Sequence, residues 1–468
     1  MPSLPRLRRR LALLAALLAA LAIVLAASGA ASADQPAYAP GVVVVGYAPT
    51  VDTAAAQQAV AASVGASVGG APAPSTRILH VAPGRVRATV AKLRRTPGVA
   101  YAAPDPIAHA DAAPLPNDPG LKGFPGGLAA LQWNFYGPWG VDALDAWGNV
   151  AGRAPGARGI RIAVLDTGIA YRDLGRFRRS PDFAGTRFVA PYDFVDNTPY
   201  PVDRNGHGTH VAGTIAEATN NGLGVTGLAW GATIMPVRVL DSRGYGDATT
   251  IAKGIRYAVR HGAKVINMSL EFATSVRPSE IPDITTALRY ASRHGVVVVG
   301  SSGNEGEARI AYPARTSNVI SVGATTDDGC LADFSNDGVG LDLVAPGGGD
   351  DAALATDPNC RPGRHGADIY QMTYTGSVAR FGLPSGYDGT SMAAPHVSAT
   401  AALVIASGVL GAHPTPSQVE CRLKLTAKPL GLPGPNRVYG YGLVDAGAAT
   451  SAPRQTPTCL TAAAARAR

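Results

Sequence analysis

Between residues 161 and 345, short runs of aliphatic and β-branched residues alternate with helix-period patterns, and that alternation leaves few folds open. The runs 161–165, 235–240, 264–270, 296–299, 319–324 and 341–345 read as strands, with helical segments at 208–218, 248–261 and 284–294. Strands that are apolar at successive positions rather than alternate ones are buried on both faces. The pattern therefore predicts an α/β fold of three layers, with helices on both sides of a mainly parallel central sheet. In such sheets functional groups collect just past the carboxyl ends of the strands.

A chain of 468 residues, 46% hydrophobic and 16% charged, has material for one large core and a smaller domain. Lys+Arg 41 against Asp+Glu 33 leaves a net charge of +8, but no basic block is interleaved with aromatics, which argues against nucleic acid as a partner. Arg6, Arg8, Arg9 and Arg10 precede an unbroken apolar run over 11–27, and Ala31-Ser32-Ala33 has the small-x-small form of a cleavage site. The run is shorter than the ~20 residues a spanning helix needs, so 1–33 reads as a signal peptide rather than a membrane anchor. No later stretch is apolar enough to span a bilayer, and the expected location is extracellular. In an exported chain Cys330, Cys360, Cys421 and Cys459 read as two disulfides.

Residues 34–110 read as a small α+β domain: strand 41–47, helix 53–64, strand 78–81, helix 86–94. The Pro, Asn and Gly-rich stretch that follows, to about Gly127, reads as an exposed linker where processing would be easy. The large domain is expected to occupy 111–452, with a short tail at 453–468.

Four short segments carry chemistry. Gly389-Thr390-Ser391-Met392-Ala393-Ala394-Pro395 delivers Ser391 at a helix entrance, where the helix dipole and free N–H groups favour developing negative charge. Pro395 falls in the first turn, where a missing N–H costs nothing. Such a serine is otherwise an N-cap, and it becomes a candidate nucleophile only with a base, an orienting carboxylate and an oxyanion donor. Asp166 stands at a strand end in Leu165-Asp166-Thr167-Gly168. His207 lies between two glycines at a helix start in Gly206-His207-Gly208-Thr209-His210. The two histidines three apart could also serve zinc, but His-Glu-x-x-His is absent. His210 and His396 sit in apolar helix starts and read as core residues. Asn304, in Ser301-Ser302-Gly303-Asn304-Glu305, can offer an amide donor to an oxyanion.

Together these blocks resemble the subtilisin-like serine proteases, in that family's order of Asp, His and Ser, and the resemblance covers about 117–449. It implies a subtilisin-like fold, with Ser391 as nucleophile, His207 as general base, Asp166 as its orienting carboxylate and Asn304 in the oxyanion hole. It implies a secreted endopeptidase, monomeric, acting on polypeptide substrates and made as a zymogen. The domain at 34–110 is similar to the inhibitor propeptide of these enzymes, so the chain's own propeptide is expected to act as intramolecular inhibitor.

The resemblance further implies that an extended peptide pairs with Ser269, Leu270 and Glu271 and with Ser301, Ser302 and Gly303. Here the sequence departs from the family: Glu271-Phe272 stands where Gly-Gly is common, and Ser301-Ser302 replaces an alanine pair. A carboxylate there implies a modest preference for Arg or Lys near the cut, unless Glu271 is a solvated residue of the rim. Calcium is the implied cofactor, with Asp118, Asp182 and Asn221 as side-chain ligands, and an insertion at 171–179 lies just before Asp182. Cys330–Cys360 is expected to tie the long segment before Ser391 and Cys421–Cys459 the C-terminus, although four cysteines allow three pairings. A catalytically silent binder of the same fold would be expected to lack a member of the triad. A serine esterase of the α/β-hydrolase kind would want Gly-x-Ser-x-Gly, with the serine first in the chain.

Overall fold

The computed structural model describes residues 38–106, 115–432 and 434–452, in two compact units that divide between Asp111 and Ala112. The expected signal peptide, the segment ending the small domain at 107–110, Cys459 and the C-terminal tail lie outside the described residues.

The first unit runs β1 (Tyr38–Tyr47), α1 (Ala54–Ser63), β2 (Ser67–Val68), β3 (Thr76–His80), α2 (Val86–Leu93) and β4 (Val99–Pro106). Its four strands form one sheet in the order β2-β3-β1-β4. Val43 faces Leu79 across the antiparallel β1–β3 pair, and Val44 faces Ala103 across the antiparallel β1–β4 pair. The two helices close one core around Val43, Val45, Leu79, Val86 and Leu93. The sequence reading of strand, helix, strand, helix missed β4. Its Tyr101-Ala102-Ala103-Pro104 run has no strand periodicity of its own and is held by its partner β1.

The second unit opens with the hairpin β5 (Gly120–Leu121) and β6 (Phe124–Pro125), the short helix α3 (Gly127–Leu131) and α4 (Ala143–Val150). The described part of the stretch to Gly127 is mostly exposed, as expected, but it carries a short hairpin and is tied down at two points. Asp118 is buried, and Gly120 bridges to Gly224 through its main chain.

The central sheet follows: β7 (Arg161–Asp166), β8 (Arg187–Phe188), β9 (Tyr192–Asp193), α5 (His207–Ala216), β10 (Thr233–Arg238), α6 (Ala248–Arg260), β11 (Val265–Met268), α7 (Pro282–Arg293), β12 (Val297–Ser301), β13 (Ile320–Thr325) and β14 (Leu343–Pro346). Its strand order is β14-β13-β12-β11-β7-β10-β8, with β9 also on β10, and its pairings are parallel. Successive residues of one strand serve opposite cores. Ile162, Val164, Val297 and Val299 pack on the side of α5, while Ala163, Leu165, Ile266 and Val298 pack on the side of α6 and α7. That is why the strands read as continuous apolar runs.

The chain ends with the hairpin β15 (Thr373–Tyr374) and β16 (Phe381–Gly382), then α8 (Thr390–Ser407), α9 (Pro416–Thr426) and α10 (Ala446–Thr450). Nearly every residue of α8 is buried, as expected of a helix apolar on all sides, and its alanines let it lie close to the sheet; Pro395 is its sixth residue rather than part of the expected first turn, and the Ser391 carbonyl that its missing N–H leaves free accepts from Ser269 Oγ. Cys330 and Cys360 form a disulfide. Among the described residues no helix is long and apolar enough to cross a membrane.

Candidate active site

The strand β7 lies between β10 and β11, and its last residue, Asp166, is fully buried. The first turn of α5 packs directly onto the loop that leaves this strand. A Cβ on Gly208 would collide with the Gly168 carbonyl oxygen, so only glycine permits the approach. The approach puts His207 Nδ1 2.7 Å from Asp166 Oδ1, which also accepts the Thr167 N–H at 2.7 Å. The imidazole donates from Nδ1, which leaves Nε2 able to accept a proton.

Asp203, which the sequence reading passed over, joins the two loops. Its Oδ1 accepts from Thr167 Oγ1 and from the N–H groups of Asn205 and Gly206, and its Oδ2 accepts from Thr209. Burial acts to lower the His207 pKa, but the Asp166 carboxylate, with Asp203 behind it, outweighs burial and holds it above the ordinary value. The hairpin β15–β16 braces the same turn: Thr373 Oγ1 donates to the Gly206 carbonyl at 2.6 Å and Tyr374 Oη to the Asp203 carbonyl at 3.2 Å.

Ser391 is the second residue of α8 and lines one cleft together with His207, Thr167, Ser269, Leu270, Glu271 and the turn 243–246. A relay of hydrogen bonds sets the start of this helix against β11. Ser398 Oγ donates to Asn267 Oδ1 at 2.8 Å, Asn267 Nδ2 to Ser269 Oγ at 3.0 Å, and Ser269 Oγ to the Ser391 carbonyl at 2.7 Å. Asn304 reaches the same place from the loop after β12. Its Oδ1 accepts from Thr390 N at 2.8 Å and Thr390 Oγ1 at 2.9 Å, which turns the NH₂ end away from Thr390.

Glu271 is not a solvated rim residue. It is mostly shielded from water, and its Oε2 is buried without a hydrogen-bond partner. Burial, reinforced by the nearby Glu305, pushes its pKa up to about 7, opposed by the polar N–H groups of the neighbouring Asn304. Glu305 itself accepts from Asn336 Nδ2 at 2.5 Å.

Of the segments expected to pair with substrate, 269–271 lies in the cleft. Ser302 and Gly303 spend their main-chain groups on neighbours. Ser302 N donates to Val322 and its carbonyl accepts from Ala311, while the Gly303 carbonyl accepts from Asn336 N. Ser301 Oγ donates to the Leu270 carbonyl, which links the two segments as one wall. The opposite wall, residues 243–246 with Leu240 and Ile251, has no sequence signal beyond a glycine-flanked tyrosine.

Asp118, Asp182 and Asn221 converge on the loop after α5. Asp118 accepts from the N–H groups of Asn220 and Asn221, and Asp182 accepts from Asn221 Nδ2 at 2.7 Å and Val225 N at 3.0 Å. Burial pushes Asp182 up to about 7, with the Asp118 charge adding to the effect. Among the described residues no group of three or more His, Cys, Asp or Glu is arranged to hold a metal by itself. His210 Nε2 donates to the Ile369 carbonyl and its ring stacks on Tyr387, while His396 Nδ1 donates to the Met392 carbonyl and its Nε2 lies against Asn134. Burial pushes them down to about 3 and about 4, so both are neutral core residues, as read from the sequence.

A parallel α/β core that carries these side chains at its carboxyl edge defines a serine hydrolase, and comparison with known proteins narrows the class. Residues 157–442 match the subtilase family of peptidases, and 25–105 match the fervidolysin N-terminal prodomain. The chain is 39% identical over 315 residues to subtilisin Savinase of Lederbergia lenta, covering 67% of this chain and 98% of that one. It is 35% identical over 362 residues to a thermophilic serine proteinase of a Bacillus species, covering 77% of this chain and 75% of that one. A solved protease structure from Pseudoalteromonas arctica aligns with a TM-score of 0.56 at 28% identity, over 72% of this chain and 99% of that one. The chain belongs to the subtilase family: it is a subtilisin-like serine protease preceded by a prodomain.

Proposed function

We propose that the chain is a secreted serine endopeptidase, made as a self-processing zymogen, that hydrolyses peptide bonds through Asp166, His207 and Ser391. The observation that carries this reading is the 2.7 Å contact from the buried Asp166 to Nδ1 of the partly exposed His207, with His207 and Ser391 on one cleft. Ser391 Oγ attacks the scissile carbonyl while His207 Nε2 takes its proton and later passes it to the leaving amine. Asp166 holds the tautomer and stabilises the imidazolium. The Ser391 N–H at the helix start and the Asn304 amide receive the oxyanion. An extended substrate pairs with 269–271 on one side and 243–246 on the other.

In this reading 1–33 is a signal peptide, 34–110 an inhibitory propeptide and 111–452 the peptidase domain, acting as a monomer outside the cell. Calcium fits the loop after α5. Asp182 is a buried carboxylate close to a second one, Asp118, and the groups that face it are the N–H donors of Asn221 Nδ2 and Val225 rather than a cation, so the hard oxygens on offer are those of the two carboxylates, and the Asn221 amide would have to turn to add its own. Asp118, Asp182 and the side-chain oxygen of Asn221, with loop carbonyls, would hold the ion. Bound calcium would supply the positive charge this pair of carboxylates lacks.

Intact mass after expression without the signal peptide, beside Ser391→Ala, tests the reading. The normal chain is expected to lose about 34–110 and the variant to stay whole. Processing of both, or of neither, would sink self-processing by Ser391.

A further inference from the structure

The insertion at 171–179 has no part in the chemistry above, yet it carries four arginines, Arg172, Arg176, Arg178 and Arg179, against one carboxylate, Asp173. Like charges this close repel, so the segment needs fixing by other means. Main-chain contacts supply it. Leu174 and Phe177 exchange main-chain hydrogen bonds in a tight turn, and Arg178 Nη1 donates to the Gly175 and Phe177 carbonyls at 2.6 and 3.0 Å. Arg179 Nη2 donates to the Phe183 and Thr186 carbonyls, and Asp173 Oδ1 accepts the Arg179 main-chain N–H. Among the described residues none of the four arginines is in an ion pair. A carbonyl orients a guanidinium without cancelling its charge, so the insertion presents an uncompensated positive edge.

This edge is built onto the turn that carries His207. Ile169 bridges to Val202 across the two loops, and Arg204 of the turn lies 5.9 Å from the centroid of the Phe177 ring, with Arg176 5.5 Å from the same ring. Arg172 lies 4.9 Å from the Tyr200 ring centroid. The Arg178 N–H donates to the Val378 carbonyl at 3.1 Å, in the hairpin β15–β16 that also holds the Gly206 and Asp203 carbonyls. All these arginines are exposed. A guanidinium already held on an aromatic face loses less freedom in a new ion pair than a free one does. The acidic neighbour of Arg204, Asp196, is itself shared with Arg238, so it leaves no carboxylate to spare for the insertion.

The turn has two flanks. On one, Asn205 Nδ2 donates to the Ser242 carbonyl and so adjoins the groove of 243–246 and 269–271. The insertion and the hairpin occupy the other. His207 passes its proton to the leaving amine, so the chain beyond the cut begins at His207 and runs away from the groove that holds the residues before it.

Resting on the peptidase reading above, we propose that Arg172, Arg176, Arg178 and Arg204 form a docking edge for an acidic segment of the polypeptide substrate on the C-terminal side of the scissile bond. A substrate is the occupant, rather than a free polyanion, because the edge is continuous with the turn that bears the catalytic base. The contact lies outside the groove and is the same in ground state and transition state, so it lowers KM and leaves kcat unchanged.

The test extends one cleavable peptide by a run of glutamates or of glutamines, placed either beyond the cut or ahead of it. Each is hydrolysed by the self-processed enzyme and by two double variants, Arg172→Gln with Arg176→Gln, and Arg172→Lys with Arg176→Lys. At low salt, glutamates beyond the cut are expected to lower KM about three- to tenfold relative to glutamines, the range a few exposed ion pairs command. Glutamates ahead of the cut are expected to give no such gain. The advantage should fall to within about twofold in the glutamine variant, persist in the lysine variant, and vanish near 1 M salt, where the screening length is about 3 Å. No advantage beyond the cut, an equal one from either end, or one undiminished in the glutamine variant overturns the proposal. So does a glutamine variant that loses kcat on the glutamine-extended peptides as well, which would mark the arginines as supports of the His207 turn. Retention on dextran sulfate that the glutamine variant abolishes, with no glutamate advantage, would assign the edge to a free polyanion and overturn it as a substrate site. If the unaltered enzyme cuts none of the peptides nor any denatured protein, the peptidase reading fails and this proposal falls with it.

Discussion

Asp166 Oδ1 accepts two hydrogen bonds, one of them from the His207 ring, and the carboxylate is fully buried, so its charge acts on the imidazole with little screening. A histidine held above the ordinary value of 6.5 stays protonated to higher pH, and only the neutral ring can accept the Ser391 proton. Activity should therefore rise with pH through a midpoint above 6.5. Asp166→Asn should move that midpoint down as well as lower kcat, because burial is then opposed only by the more distant Asp203 charge. A kcat/KM profile of both proteins checks this, and an unmoved acidic limb would contradict it. Asn304→Ala should lower kcat by about a hundred- to a thousandfold with little change in KM, the range known for such donors in this family. Steady-state kinetics on one peptide would show it, and a loss confined to KM would speak against an oxyanion role.

At the scale of elements, the site depends on structures that each arrive from a distant part of the chain. The serine helix is set by the relay Ser398, Asn267, Ser269, and the histidine turn is clamped by Asp203 and by the hairpin β15–β16. The long segment between β14 and α8 that carries this hairpin is tied back to the loop after β13 by Cys330–Cys360, which closes a span of 30 residues. Removing it as Cys330→Ser should cost about 2–4 kcal/mol, the size expected from freeing a loop of that length in the unfolded chain. Urea unfolding in the Ser391→Ala background, which avoids self-digestion, would measure this. A midpoint unmoved from that of the disulfide-bonded protein would contradict it.

For the whole molecule, the loop after α5 is where the start of the second unit, the 180–184 turn and the helix that bears His207 meet. An ion that binds only the folded state adds stability by mass action. With calcium saturating, chelation should lower the melting temperature by about 5 °C or more, and Asp182→Asn should melt at the lower temperature with or without the ion. Calorimetry with and without chelator decides it, and identical traces for the unaltered protein would remove calcium from the account.

The sequence by itself determined the layers of the fold and the residues at its carboxyl edge. A strand buried on both faces must be apolar at every position, and an aspartate, histidine and serine in three glycine-flanked turns have few structural reasons to occur in that order. It also carried the small domain's two helices and the Cys330–Cys360 bridge as expectations. Tertiary structure alone decided the rest. The strand β4 exists because β1 offers it an edge, and Asp118 is buried within an otherwise mostly exposed stretch because it accepts from the Asn220 and Asn221 main-chain N–H groups. Asp203 organises its own turn through Asn205, Gly206 and Thr209, but the bond from Thr167 Oγ1 that joins this turn to the loop after β7 exists only when α5 docks there. Glu271 could be read as a surface glutamate until the loop after β12 folded over it. Whether a side chain is solvated or shielded is a property of contacts between residues far apart in the chain, and no local pattern encodes it.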